Sequence, residues 1–176
     1  RELPTEKIAP ADPILQHNPA PNRRAPLEEM LTNSLILDHM APYLATPSLM
    51  ALASTSRFLY NMITGTPYVF RHLDLTRCRG AQLVNKSTQK DEMQTEDDVY
   101  SAPLRRIFGS LEKRSILQDV RTLVLDGLSV PADLVADIIL TDRFNVNILS
   151  IRECQNLNER KLIQVIQHAV RPTRPA

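Results

Sequence analysis

The sequence predicts a mixed fold of helices and strands, of the α+β or α/β repeat type. We expect a three-helix module followed by a short solenoid of strand–helix units. Residues 31–71 carry three short apolar helical patterns with almost no spacer between them. Residues 72–170 carry short alternating apolar segments separated by helical patterns at a recurring distance. Hydrophobic residues form 43% of the chain and tryptophan is absent, so the core must be aliphatic.

Composition argues against several classes of protein. The formal net charge is +1, which gives no electrostatic basis for binding nucleic acid. No apolar run reaches the length of about 18 residues that a membrane span needs, and no signal peptide is visible. The two cysteines, Cys78 and Cys154, lie far apart, as expected of a reducing compartment. We therefore expect an intracellular protein of the cytoplasm or nucleus.

Residues 1–30 are predicted to form a Pro-rich disordered tail. Six prolines lie between Arg1 and Pro26, the latter included, and proline removes backbone donors and disfavours helix. Two interpretations remain: a linker, or a segment that folds onto a partner or onto the module.

The three helical patterns of residues 31–71 have recognisable ends. Thr32 is a candidate N-cap for the first helix, and Pro42 should end it near Tyr43. Thr46-Pro47 predicts the start of the second helix. A polar break at 54–56 precedes the third helix, which should end at Gly65.

Residues 81–103 interrupt the apolar patterns. They hold five acids and two lysines with little apolar periodicity, so we expect an exposed, disordered insertion. It is either a tolerated surface loop or a contact for a basic partner. Helical faces then follow at Leu104–Leu111, after Pro131, and at Leu162–Ala169, and residues 171–176 form a frayed tail.

Three strand segments share one spacing. The pattern apolar-x-x-Leu-x-Leu is centred on Leu73, Leu123 and Leu149, with Ile151 in place of the second leucine in the last segment. The step from Leu123 to Leu149 has the length of one strand–helix unit, and the longer step from Leu73 to Leu123 fits one such unit lengthened by the insertion. A strand and helix repeated every ~20–29 residues is the leucine-rich-repeat signature. Cys78 and Cys154 follow their strands at its small-residue position, so we expect both to pack in the core.

The stretch from Leu31 to Cys78 resembles an F-box, the module that docks proteins of that family onto a Skp-type adaptor. The sequence departs from the family pattern at Thr32, where proline is usual, and at Phe58 or Leu59 and Phe70, where tryptophan is common. An F-box followed directly by such repeats is similar to the F-box and leucine-rich-repeat class. The matching residues are Leu31, Ile36, Met40, Tyr43-Leu44, Leu49, Leu52, Ser56-Arg57, Pro67, Arg71, Leu73, Asp74 and Leu75.

The resemblance implies a non-catalytic substrate receptor of an SCF-type cullin–RING ubiquitin ligase. The F-box would bind the adaptor, the adaptor would bind the cullin, and the repeats would hold an unknown protein substrate. Any of the proposed adaptor contacts could instead belong to the core of the module, because the sequence alone does not divide the two sets. These contacts are Leu31, Leu35, Ile36, Met40, Leu44, Leu49, Leu52, Phe58 and Ile63.

Four residues on and after the predicted strands, Arg121, Asp126, Arg152 and Glu153, are candidates to face a substrate. The alternative is a merely solvated face.

No catalytic motif, cofactor-binding loop or metal-ligand spacing is present in the sequence. Two further functions remain: an F-box protein in an adaptor complex without a ubiquitin role, and a helical nucleic-acid binder using residues 46–64. The latter is disfavoured because Arg57 is the sole Lys or Arg between Arg24 and Arg71.

Overall fold

A computed structural model describes residues 26–82 and 95–170. It shows a mixed helix and sheet fold, which confirms the coarse class predicted from the sequence. The helices of the N-terminal part are α1 Pro26–Leu31, α2 Ser34–Met40, α3 Thr46–Thr55 and α4 Arg57–Gly65. The remaining elements are β1 His72–Asp74, α5 Glu96–Glu112, β2 Thr122–Val124, α6 Ala132–Leu140, β3 Ile148–Ser150 and α7 Glu159–Ala169.

Helix α1 lies partly in the range that we assigned to the disordered tail, so that assignment is wrong for residues 26–30. Pro26 occupies the first helical position, where its missing N–H costs nothing. Glu28 lies in the first turn and accepts a hydrogen bond from the Ser56 hydroxyl at 2.9 Å. A tertiary contact therefore holds this helix. Residues 1–25 and 171–176, the rest of the predicted tails, lie outside the described residues.

The helix caps differ by one residue from the predicted ones. Asn33, not Thr32, caps α2 by accepting the Leu35 N–H at 3.1 Å. Helix α2 ends at Met40, and a short 3-10 helix, Ala41–Tyr43, follows it. Ala45, not Thr46, is the N-cap of α3, and the Thr46 hydroxyl accepts a tertiary hydrogen bond from the Asp74 N–H. Helix α4 ends at Gly65, as predicted.

The predicted disordered insertion is wrong for residues 96–103, which form the first half of α5. Thr95 and Asp98 form a capping box, in which the Asp98 N–H donates to the Thr95 hydroxyl oxygen at 3.2 Å. Three acidic side chains in the first turn also stabilise the helix, because they lie at the positive end of the helix dipole. Ser101 is buried and Pro103 is accommodated inside the helix. Residues 83–94, the rest of the insertion, lie outside the described residues.

The three strands form one parallel sheet in the order β1-β2-β3. Leu73 pairs with Leu123, and Leu123 with Leu149, which confirms the alignment predicted from their spacing. Beyond the strands, Ser129 forms a β-bridge with Gln155, and these two residues have the same separation along the sequence as Leu123 and Leu149. We call β2 with α6 the second unit and β3 with α7 the third unit.

Burial falls from the second unit to the third. Leu123 and Leu125 are fully buried, whereas the corresponding Leu149 and Ile151 are only half-buried. Helix α7 has no buried residue. The third unit therefore packs on the second but lacks an equivalent neighbour among the described residues. The free thiols of Cys78 and Cys154 are half-buried against the core, as predicted.

Candidate protein-docking surfaces

Exposed large apolar side chains concentrate at two places. Five lie between residues 27 and 43, four lie between residues 148 and 170, and Tyr68 is separate. We call the first set the N-terminal apolar surface. The N-terminal apolar surface comprises Leu27, Met30, Leu35, Met40 and Tyr43. In the second set, Ile163, Ile166 and Val170 lie on α7 or directly after it, and Ile148 lies separately on β3.

The N-terminal apolar surface arises because α1 and α2 carry apolar residues on more than one side. Leu31 and Leu37 point into the core and are 2% and 1% exposed. Leu35 lies two positions before Leu37, about 200° around the helix, and is 67% exposed. Tyr43 is 89% exposed on the short 3-10 helix. These exposed apolar side chains make the module a candidate protein-interaction site.

The structure divides the nine candidate adaptor contacts into three groups. Leu31, Leu49 and Ile63 lie inside the core of the chain, at 2%, 1% and 0% exposure. They cannot reach a partner without unfolding, so their assignment as contacts is corrected to core residues. Leu35 and Met40 are exposed. The half-buried residues are Ile36, Leu44, Leu52 and Phe58.

Three exposed residues of this surface were missing from the candidate contacts. Leu27 and Met30 fell in the range assigned to the tail, although their spacing of three residues is itself a weak helical signal. Tyr43 matches the motif but was not one of the nine candidate contacts.

The charge around this surface is slightly negative. Glu28, Glu29 and Asp38 lie on α1 and α2, and Arg57 is the one Lys or Arg between residues 26 and 70. Nucleic-acid binding requires clustered positive charge. This surface therefore suits an apolar protein partner better than a phosphate backbone.

Polar and cation–π contacts join the helical module to the rest of the fold, in addition to the apolar core that the two parts share. The Asp74 N–H, on β1, donates to the hydroxyl oxygen of the buried Thr46 at 3.2 Å. The guanidinium of Arg114, just after α5, lies 4.7 Å from the centre of the Tyr60 ring on α4. The module is thus packed against the first strand and α5.

The four candidate substrate-facing residues have different roles. Arg121 donates to the Asn145 carbonyl at 3.3 Å, and Asp126 accepts from the Ser150 hydroxyl at 2.7 Å and from the Arg152 N–H at 2.8 Å. These hydrogen bonds, from Ser150 first and then from Arg152, lower the pKa of Asp126. The side chains of Arg121 and Asp126 therefore hold neighbouring units together. Arg152 and Glu153 are exposed.

A polar cavity lies beside Asp126, where the chain leaves β1 and β2. Its volume is about 380 Å³. The Ser129 hydroxyl at its wall accepts from the Asn156 amide at 2.8 Å, so part of the lining already has partners. Most residues that line this cavity are ordinary polar loop residues, so no sequence pattern identifies them as a site. The lining consists of Thr76, Gln82, Asp126, Gly127, Leu128, Ser129 and Gln155.

A second cavity, of about 330 Å³, lies beside an exposed ion-pair network. Arg143 contacts Glu112 at 2.7 Å and Asp137 at 3.5 Å, and Arg105 contacts Asp137 at 3.0 Å. The hydrogen bond from Arg143 lowers the pKa of Glu112. These pairs join α5 to α6 and the loop after it, and every charged member has an opposite partner. We assign the network a structural role.

No protein-family model, curated protein or solved structure matches the chain. Among residues 26–82 and 95–170, no three His, Cys, Asp or Glu side chains are grouped to hold a metal ion. Nor does that part of the chain contain a helix long and apolar enough to cross a membrane.

Proposed function

We propose that this chain is a substrate-receptor subunit of an SCF-type cullin–RING ubiquitin ligase. Its N-terminal apolar surface would dock on a Skp-type adaptor, and its strand ends would present a protein substrate. The observation that carries the proposal is the exposure of Leu35 and Tyr43, at 67% and 89%, within the stretch whose sequence resembles an F-box. The chain would perform no chemistry, because its contribution would be to hold a substrate in position.

The exposure of individual side chains in the module decides which of them are proposed as adaptor contacts. Leu35 and Met40 are retained, and Leu27, Met30 and Tyr43 are added, because all five side chains are available to a partner. Leu31, Leu49 and Ile63 are removed because they already pack inside the chain. The half-buried candidates would contact the adaptor only through the exposed parts of their side chains; these residues are Ile36, Leu44, Leu52 and Phe58.

The sheet supports the second half of the proposal, a short leucine-rich-repeat stack. Leu73, Leu123 and Leu149 are in register on adjacent parallel strands, and each strand precedes a helix. Gly127 and Glu153, which are separated by the same offset as Leu123 and Leu149, both adopt a positive φ, of 71° and 53°. A shared backbone conformation at corresponding positions is expected of repeated units. The exposed Arg152 and Glu153, with the cavity beside Asp126, form the substrate-facing region that we propose.

Close packing of the module on the sheet fits a positioning role. The bond between Thr46 and Asp74 joins the proposed docking module to the first strand without an intervening linker. A substrate held on the strand ends would then keep a fixed orientation relative to the adaptor.

Co-expression with a Skp-type adaptor tests this function. We expect a one-to-one complex that survives size-exclusion chromatography with the wild-type chain. Leu35→Asp and Tyr43→Asp should abolish it, because they place a charge on the surface that the adaptor would bury. Ile163→Asp is the matched control, since it makes the same kind of change at a 54% exposed residue of α7. No complex with the wild-type chain, or equal binding by all four proteins, would refute the proposal.

A second candidate function keeps the adaptor and omits ubiquitin. The apolar surface supports adaptor docking in either case, so a separate measurement must distinguish them. Reconstitution with the cullin, the RING subunit and a charged conjugating enzyme provides it. Ubiquitin transfer to the chain or to a bound protein supports the ligase role, and intact adaptor binding with no transfer supports the second candidate.

A further inference from the structure

Asp74 lies where the helical module, the first strand and the proposed substrate-facing region meet. It is the last residue of β1. The next residue, Leu75, donates its N–H to the Val124 carbonyl on β2 at 3.0 Å. Backbone groups alternate in direction along a strand, so the Asp74 N–H points away from β2. On that side it donates to the hydroxyl oxygen of Thr46, the first residue of α3, at 3.2 Å.

The side chain of Asp74 continues this connection toward the strand ends. Its Oδ1 atom accepts hydrogen bonds from the backbone N–H of Thr76 at 2.9 Å and from the Thr76 hydroxyl at 2.6 Å. Thr76 lines the polar cavity beside Asp126, which is part of the proposed substrate-facing region. A continuous path of hydrogen bonds therefore runs from the start of α3 to the wall of that cavity.

A related contact orders the end of the third strand. Asp74 and Ser150 occupy corresponding positions of the sheet, and Thr76 and Arg152 each follow two residues later. The Arg152 N–H donates to Oδ1 of Asp126 at 2.8 Å, just as the Thr76 N–H donates to Asp74. A carboxylate thus holds the backbone after the strand in both places, and in the first unit the same residue also binds the helical module.

The hydrogen bond between Thr46 and Asp74 constrains direction in a way that the shared apolar core does not. Apolar burial is non-directional, so the core holds the module against the sheet without selecting one angle between them. A hydrogen bond weakens steeply when its donor and acceptor are misaligned. Thr46 is 4% exposed, so water has little access to replace this bond. The cation–π contact of Arg114, by contrast, involves an exposed side chain.

We propose that Thr46 and Asp74 are positioning residues, which fix the orientation of the helical module relative to the substrate-facing region. Thr46 acts through the backbone of Asp74, and Asp74 acts through Thr76. Their use in presenting a substrate rests on the proposed function, whereas the fixed orientation is a property of the chain alone. Loss of either link leaves both parts folded and lets the angle between them vary.

The spread of distances between two spin labels, measured by electron paramagnetic resonance, tests the proposal. The labels are attached to cysteines introduced at Asn61 on α4 and at Arg77, which directly follows Thr76; both positions are exposed. Cys78→Ala and Cys154→Ala remove the native thiols from every protein in the series. The protein with native Thr46 and Asp74 should give one narrow distribution, and circular dichroism should show that each variant is folded.

Matched substitutions separate positioning from a merely stabilising role. Thr46→Val removes the acceptor and should broaden the distribution, whereas Thr46→Ser keeps the hydroxyl and should restore it. Asp74→Ala should also broaden it, and Asp74→Asn, which keeps an acceptor oxygen, should not. Thr55→Val is the control on the same helix, because the Thr55 hydroxyl bonds only within α3, to the Leu52 carbonyl. A distribution as narrow in Thr46→Val as with native Thr46, or equal broadening by Thr55→Val, would overturn the proposal.

The reconstituted ligase provides a second readout. Thr46→Val should bind the adaptor with unchanged affinity but transfer ubiquitin more slowly, by up to about 100-fold, because proximity-driven reactions are sensitive to small misplacements. An unchanged rate would contradict the positioning role. Failure of the wild-type chain to bind the adaptor would count against the proposed function alone, since the distance measurement needs no adaptor.

Discussion

Replacing leucine by alanine at corresponding positions of β2 and β3 shows how much each buried side chain contributes to stability. Leu123 and Leu149 are directly paired in the sheet and differ mainly in burial. Leu123 is 1% exposed, so Leu123→Ala should lower the free energy of unfolding by about 3 kcal/mol, within the usual range of roughly 2–5 kcal/mol for a buried leucine. Leu149 is half-buried, so Leu149→Ala should cost about half as much.

Urea denaturation followed by circular dichroism gives both values. For a chain of this size, the larger cost corresponds to a fall in melting temperature of roughly 6–12 °C. Equal costs for the two substitutions would refute the reasoning, because they would mean that the third unit is as well covered as the second in a single chain.

Three smaller predictions follow from local contacts. Thr46→Val removes the acceptor of the Asp74 N–H and should cost about 1–3 kcal/mol of unfolding free energy, whereas the exposed Thr55→Val should cost under about 0.5 kcal/mol. Glu153→Gly should raise stability by roughly 0.5–1 kcal/mol, because glycine adopts a positive φ without strain, and Gly127→Ala should lower it. The pKa of Asp126 is lowered in the fold, so its contribution to stability is present above its ordinary value of 3.8 and is lost as the pH falls through the folded pKa. Thermal melts between neutral and acid pH should therefore show a steeper acid decline for wild type than for Asp126→Asn.

The strand register could be predicted from the sequence because it follows from spacing alone. Leu123 and Leu149 are paired on adjacent strands, and Ser129 and Gln155, which have the same separation along the sequence, form a bridge. Successive side chains of a strand point to opposite faces of the sheet, so the alternating apolar pattern indicates both the strand and the side that packs on the core. Residues 96–103 are acidic and have little apolar periodicity, which favours a loop, whereas the capping signal at Thr95 and Asp98 indicates the helix that is observed.

The proposed docking surface could be predicted from the sequence only in outline. Helices α2 and α3 carry apolar residues around most of their circumference, so periodicity does not distinguish the core side from the outer side. Leu35 and Leu37 look alike in sequence, yet one is 67% exposed and the other 1%. That difference depends on how α1, α2 and α4 pack together, which includes the long-range bond between Glu28 and Ser56.

Binding of a Skp-type adaptor, measured by isothermal titration calorimetry, tests the central claim most directly. Leu35 is 67% exposed, and full burial of a leucine is worth about 1.5–3 kcal/mol, so Leu35→Ala should lose about 1–2 kcal/mol of binding energy, a loss of roughly 5- to 30-fold in affinity. Its melting temperature should be unchanged, because little of that side chain is packed in the free chain. Saturable one-to-one binding by wild type, weakened to this extent in Leu35→Ala and unaltered in Ile163→Ala, is the result that we predict. The absence of binding by wild type, or an affinity indifferent to Leu35, would contradict the claim.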